Sequence, residues 1–351
     1  MTGQALPEPR GPVSAEIISA LRRAPNSRVR NDMEGARAGL LEGKPTGDVI
    51  GNGDLQIALW VMYELSYQGF VDVDDQWEWH PALLSVRRRM EQLFEAQLRA
   101  ETRKQVGQAN TAPGDFGDRL FGLIEADDGA SLANYLLRHA TRDHMLEFLR
   151  ERSIYHLKES DPHSFVLPRL TGAAKVTLAE LQYDEYGAGR PSRLHSTLFA
   201  ATLEACGLSS RYGAYVDTVL PTTLAVSNAM SMFALNRRLR AADMGHLGAF
   251  EATSSLPCRR VAGALRRLGF GDVAAEYFDE HVEADAVHEQ LAVRGICAEL
   301  AAEGRELAED VLFGAAACLL LEARVSVDLL GRWQARAPAD YVTAQREEVT
   351  T

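Results

Sequence analysis

One window of the sequence gathers groups able to bind a cation: Tyr277-Phe278-Asp279-Glu280-His281-Val282-Glu283-Ala284-Asp285-Ala286-Val287-His288. On a helix, His281 and Asp285 lie about 40° apart, and His288 lies about 20° to the other side of His281, so the three share one face. Ala284, Val287 and Leu291 fall on or beside that face, so the triad is expected to point inward. Unpaired imidazoles and carboxylates are costly inside a fold, and a cation would satisfy them. The competing reading is a solvated face of an amphipathic helix, which is the better account of any one of these histidines taken alone. The Asp285-x-x-His288 pair is half of the double Glu-x-x-His arrangement found in helical two-metal proteins.

A two-metal site needs further carboxylates to bridge and neutralise its cations. Leu181-Gln182-Tyr183-Asp184-Glu185-Tyr186 places Glu185 at the end of a helix, and His195 follows ten residues later in the first turn of the next. A reversal through Gly187 and Gly189 would return the chain so that both side chains reach one point. Glu159 ends the helix before, in Tyr155-His156-Leu157-Lys158-Glu159, ahead of Pro162. Taken singly, Glu159 and Glu185 read as surface carboxylates or capping residues. His163 lies four residues after Glu159, but Pro162 between them disfavours the continuous helix that such a pair requires, so His195 is preferred. His139, His144 and His156 meet no converging carboxylates and read as packing residues. Gly187-Ala188-Gly189 is a turn without the rest of a dinucleotide fingerprint.

These groups must be carried by helices, because few segments alternate with period two. Helical patterns run roughly over 82–107, 115–125, 129–159, 172–186, 192–206, 211–236, 238–255, 257–268, 272–303 and 306–334, with another opening at Asp54 as N-cap. Pro221 and Pro257 suit first helical turns, and Gly207 and Gly269 suit helix ends. The fold class is an all-α bundle with short connections. Residues 1–52 read as an irregular, flexible N-terminal arm with one amphipathic stretch, Ala15 to Arg23. Residues 53–334 form the domain, and 335–351 a polar C-terminal tail.

Composition narrows the function classes. The 351 residues carry 49 Asp+Glu against 37 Lys+Arg, a formal net charge of −12. An acidic chain without a concentrated basic patch argues against nucleic acid and anionic membranes as partners. The longest apolar run, Val311 to Leu321, is too short for a span. Four separated cysteines and no signal-peptide pattern point to reduced thiols and a cytoplasmic location.

Glu159, Glu185, His195, His281, Asp285 and His288, in this order and spacing, resemble the ligand pattern of the haem-oxygenase-like di-iron oxidases and oxygenases, the iron-containing redox enzymes. The resemblance runs from about Asp54 to Trp333. In motif spacing it is nearest to the di-iron N-oxygenase domain of nitrosourea biosynthesis, and it implies a haem-oxygenase-like helical bundle. Some N-oxygenating members carry one more carboxylate, matched here by Glu251 in Gly248-Ala249-Phe250-Glu251-Ala252-Thr253. A neutral Glu251 bonded to a helix carbonyl or to Thr253 is the structural alternative.

Four carboxylates and three imidazoles suit two Fe(II) or Mn(II) ions better than zinc. The resemblance implies two Fe(II)/Fe(III) ions, with Glu185 bridging, Glu159 and His195 mainly on one, and His281, Asp285 and His288 mainly on the other. Asp184 and Glu289 are candidates to hold the outer imidazole nitrogens. The implied activity is that of an O2-dependent non-haem di-iron oxygenase, N-oxygenating an amine or amino-acid-derived nitrogen in secondary metabolism through a peroxo-diferric species. A desaturase or oxidative C–C lyase on an amino or fatty acid is the alternative within the family, and a non-catalytic helical iron-binding protein the alternative outside it. No flavin or nicotinamide motif is present, so electrons are expected from an external reductase, a small donor or the small-molecule substrate itself. A homodimer is implied by the resemblance alone. Arg237, Arg238 and Arg240 are candidates to anchor a substrate carboxylate, against the simpler reading of a solvated basic turn.

Overall fold

The computed structural model describes residues 3–25 and 47–336, apart from the side chains of 283–287. Its helices are α1 (Pro12–Leu21), α2 (Gly53–Glu64), α3 (Pro81–Thr111), α4 (Phe116–Glu125), α5 (Leu132–Arg138), α6 (Arg142–His156) and α7 (Asp161–Ser164). They continue as α8 (Gly172–Glu185), α9 (His195–Ala205), α10 (Pro221–Leu235), α11 (Arg240–Arg267), α12 (Asp272–Gln290), α13 (Ala298–Ala302) and α14 (Arg305–Arg336). A π-helical stretch, Leu291–Cys297, links α12 to α13. The described residues form no strand, only an isolated bridge between Gln4 and Phe70, so the all-α expectation holds.

Helix α11 is the centre of the bundle, packed along α12 on one side and α14 on another. The α11–α14 crossing is close because glycine faces backbone in both directions. A Cβ on Gly245 would collide with the Val311 carbonyl, and one on Gly314 with the Ala242 carbonyl. Around this seam Ala241, Ala242, Met244, Leu312, Phe313 and Ala317 are buried.

Several element boundaries differ from the sequence reading, each for a local reason. The pattern over 129–159 breaks into α5 and α6 because Thr141 accepts the backbone N–H of His144 and caps α6. Residues 211–219 form turns, with Gly213 at φ 73°, and helix resumes only at Pro221. Conversely, α11 runs unbroken through Pro257. An interior proline costs about 3 kcal/mol, here offset by burial on both sides of it, from Ala241 to Glu251 and from Val261 to Leu265.

Asp54 is not the cap of its own helix. Asn52 caps α2, while the Asp54 carboxylate accepts from the Val13 and Ser14 N–H groups and the Ser14 hydroxyl at the start of α1. With Ile17, Ile18 and Leu21 at 0–1% exposure, α1 is part of the core. This corrects the reading of residues 1–52 as one flexible arm: a ten-residue helix with so short an apolar stripe is too weak a signal until its partner surface exists. Residues 26–46 and the tail beyond Arg336 lie outside the described residues.

The glycine seam gives a direct test. Gly314→Ala should lower unfolding free energy by about 3 kcal/mol, the upper part of the usual overpacking range, whereas Gly331→Ala on the same helix, where the added methyl meets nothing, should not. Urea unfolding followed by circular dichroism measures both.

Candidate metal centre

Three helix ends and two long helices bring the candidate ligands together. Glu159 follows the C-terminus of α6, Glu185 is the last residue of α8, His195 opens α9, Glu251 lies mid-way along α11, and His281 and His288 lie two turns apart on α12. The reversal between Glu185 and His195 is tight. Gly187, Ala188 and Gly189 all have positive φ, at 75°, 52° and 77°. A Cβ on Gly187 would run into the backbone of Arg190 to Leu194, so this turn requires glycine.

The side chains converge as two groups that share one residue. Glu159, Glu185, His195 and His281 offer ligand atoms within 4.8 Å of one another, and so do Glu185, Glu251 and His288. His195 Nδ1 lies 2.9 Å from Glu185 Oε2 and 3.7 Å from Glu159 Oε1. His281 Nε2 is 3.6 Å from Glu159 Oε1, and His288 Nδ1 is 3.6 Å from Glu251 Oε2 and 3.7 Å from Glu185 Oε1. All six residues are buried.

The division between the groups corrects one expectation: His281 joins Glu159 and His195 rather than His288. Seven residues of helix raise His288 about 10 Å along the axis from His281, so the two imidazoles straddle Glu185 instead of sharing one side. The Asp285 side chain lies outside the described residues.

Hydrogen bonds from behind orient the candidate ligands. His281 donates Nδ1–H to the Tyr277 carbonyl at 2.8 Å, which turns Nε2 toward the centre. Glu159 Oε2 accepts from the Tyr277 hydroxyl at 2.6 Å and from His156 Nδ1 at 2.9 Å. The Ser160 hydroxyl donates to Glu185 Oε2, and Gln182 holds the Ser160 carbonyl. Asp184 lies 3.4 Å from His288 Nε2, as the sequence suggested, while Glu289 makes no such contact.

His156 and Tyr277 were missed as supports. His156 sits one turn before Glu159, and that i, i+3 spacing was the signal available. His163 stays outside both groups, held by Asp243 at 2.8 Å. His246 is fully buried nearby, its pKa lowered to about 3 by burial and by His163. Arg238 of the basic turn is committed to Glu95.

What remains unpaired faces inward. Glu159 Oε1, His195 Nδ1 and His288 Nδ1 are buried and have no hydrogen-bond partner. His195 Nδ1 and Glu185 Oε2 are 2.9 Å apart without the geometry of a hydrogen bond. A hollow of about 20 Å³ lies among Glu159, Glu185, Glu251 and His281. This oxygen and nitrogen donor set fits hard or borderline divalent cations.

Charge is balanced by the histidines when no cation does so. Burial alone would raise the pKa of Glu159 and of Glu185. His156 and His281 outweigh it at Glu159, and His195 at Glu185, so both carboxyls stay below their usual range. Burial opposes protonation of His288, but Glu251 and Glu185 outweigh it and raise its pKa to about 9.

The fold and this donor set define a class: an all-α protein with a buried carboxylate–histidine centre built on shared helices. Residues 146–323, just over half of the chain, match the family described as iron-containing redox enzyme, and the chain belongs to that family and is an oxidoreductase. It is similar to nitrosourea synthase of Streptomyces achromogenes subsp. streptozoticus, with 34% identity over 137 residues. That match covers 39% of this chain and 29% of the relative's length. No helix among the described residues is long and apolar enough to cross a membrane.

The pKa directions predict a pH effect with a defined sign. A histidine with a raised folded-state pKa contributes stability below its unfolded value near 6.5, and that contribution is lost as pH rises through about 9. The metal-free protein should therefore melt at lower temperature at pH 9 than at pH 7. Divalent-metal affinity should rise over the same interval, because His288 must lose its proton to bind. Calorimetric melts of chelator-treated protein and Mn(II) titrations at both pH values check the two signs.

Proposed function

We propose that this protein is a non-haem di-iron, O2-dependent oxygenase that N-oxygenates an amine or an amino-acid-derived nitrogen. The observation that carries the reading is Glu185, the one residue common to both groups of candidate ligands. A carboxylate with two oxygens between two such groups is placed to bridge a pair of cations. Glu159, His195 and His281 would hold one iron, and Glu251 and His288 the other, with Asp285 proposed beside His288 on the strength of its spacing. When bound, the iron pair supplies electrons to O2 and takes them back from a donor, which we propose is external to the chain.

The chain's own residues set the conditions for that chemistry. Tyr277 keeps the proton of His281 on Nδ1 and fixes its ring. Tyr277 and His156 together hold Glu159 by one oxygen, leaving Oε1 to face the hollow. Leu181, Leu247 and Phe250 line the same hollow and exclude bulk water from it. Support for N-oxygenation comes from Glu251, the added carboxylate on α11, and from the likeness to nitrosourea synthase.

Anaerobic reconstitution with Fe(II) should give about two irons per chain. Glu185→Ala should lose most of both, whereas Glu251→Ala should retain roughly one. Reconstituted protein given O2, a reductant and a panel of amines and amino acids should yield products with added oxygen, read by mass spectrometry. Unchanged stoichiometry in Glu185→Ala would overturn the bridge. Slow ferric accumulation without any oxygenated product would instead support a non-catalytic iron-binding protein.

A further inference from the structure

N-oxygenation needs protons in a place from which water is kept. An ammonium, O2, two electrons and one further proton give a hydroxylamine and one water, so the substrate brings one proton and the protein must deliver the other. The electrons come from the external donor. The proton has to enter a hollow of about 20 Å³ walled in part by Leu181, Leu247 and Phe250. Toward a neighbouring chamber of about 330 Å³, Phe250 and Ser254 line both spaces and form the partition.

Of the ionisable side chains around the hollow, Glu159, Glu185, Glu251 and His281 are taken as candidate ligands. Tyr155 also lines it, but burial, together with Glu159, holds its phenol well above its usual range, so it keeps its proton. His163 remains: it lines the hollow at 3% exposure and stands outside both donor groups. Its Nδ1 lies 2.8 Å from Asp243 Oδ2 on α11, which leaves Nε2 as the nitrogen for the hollow. Both members of this pair are buried, and a buried ion pair is weak support for a fold.

The surroundings favour the charged ring. Burial opposes protonation of His163, but Asp243, with Glu251 on α11 and Glu185 on α8, outweighs it and raises the pKa. His246 on α11 would repel an imidazolium, yet burial and His163 itself keep His246 neutral. Glu159 and His281 share the hollow, Arg169 and Tyr67 lie near Asp243, and α10, which packs against α7, carries no charged residue.

We propose that His163 is the proton donor of the centre, giving its Nε2 proton into the hollow, and that Asp243 is the positioning residue that holds Nδ1 protonated and the ring turned inward. This rests on the reading of the centre as the oxygenating site. The donation leaves a neutral imidazole with its proton on Nδ1, and Nε2 regains a proton from water when product leaves. Cations at the centre offset Glu185 and Glu251, so the imidazolium is then held by Asp243 alone and becomes a stronger acid, nearer the working pH that general acid catalysis favours.

Nitrogen-15 histidine spectra of the full chain report this without turnover. In metal-free protein His163 should be doubly protonated at pH 7, and Zn(II), a diamagnetic stand-in for iron, should lower its pKa. Asp243→Asn should lower it by about one unit or more in metal-free protein. In iron-loaded protein, His163→Gln should keep the wild-type iron stoichiometry but consume O2, with reductant and the amine panel, at least about a hundredfold more slowly. Wild-type consumption should fall as pH rises through the His163 pKa, a limb the variant should lack, and imidazole should restore part of the rate to His163→Gly. The spectra of wild-type protein stand even if a variant does not fold. A neutral His163 at pH 7, or His163→Gln with the wild-type rate and pH profile, overturns the proposal and leaves the oxygenase reading intact. Wild-type protein that loads no iron removes that reading, and the proposal with it.

Discussion

Three carboxylates, Glu159, Glu185 and Glu251, lie inside a helical core at 6% exposure each, near enough for their charges to repel. That arrangement is unstable unless positive charge is brought to the same place. His195, His281 and His288 supply it in part; His156 and His281 account for the lowered pKa of Glu159, His195 for that of Glu185, and Glu251 and Glu185 for the raised pKa of His288. Much of the surrounding structure serves to hold these six side chains against their tendency to find water: the Tyr277 and His156 bonds to Glu159, the Ser160 bond to Glu185, and Asp184 behind His288.

The scaffold meets this demand with rigid elements in close contact. Gly245 and Gly314 let α11, the helix that carries Glu251, and α14 approach backbone to backbone. The left-handed run at Gly187, Ala188 and Gly189 folds α8 back onto α9, so that Glu185 and His195 face each other across ten residues. Helix α11 also carries the partition. Glu251 faces the hollow, while Phe250 and Ser254 border both the hollow and the chamber, and the helix continues past Pro257 along the chamber wall.

The candidate site was legible where chemistry and local geometry coincide. His281 and His288 are related by helical period alone, and the Gly187 to Gly189 reversal announces the return from Glu185 to His195. Glu159 and Glu251 were legible only through the resemblance, since a lone glutamate in sequence looks like a surface residue. The supports were harder. His156 carried only its i, i+3 spacing to Glu159 as a signal, and Tyr277 acts on Glu159 from a different helix, where nothing in its own segment marks that contact. Helix ends were misjudged where a side chain or tertiary burial outweighed propensity, as at Thr141, Asn52 and Pro257.

Taken by itself, the sequence determined an all-α chain, because period and spacing are properties of the chain, and its resemblance to a known family added the residue types of an oxygen and nitrogen donor set. Only the tertiary structure decided how those residues divide. It put His281 with Glu159 and His195, left His288 to Glu251, and gave Glu185 to both, since that depends on how α8, α11 and α12 cross in space. It also decided that α1 belongs to the core, and that Arg152 and Glu322, 170 residues apart, meet in the wall of one chamber. Contacts between distant segments have no local signature, because their energy exists only once both surfaces are in place.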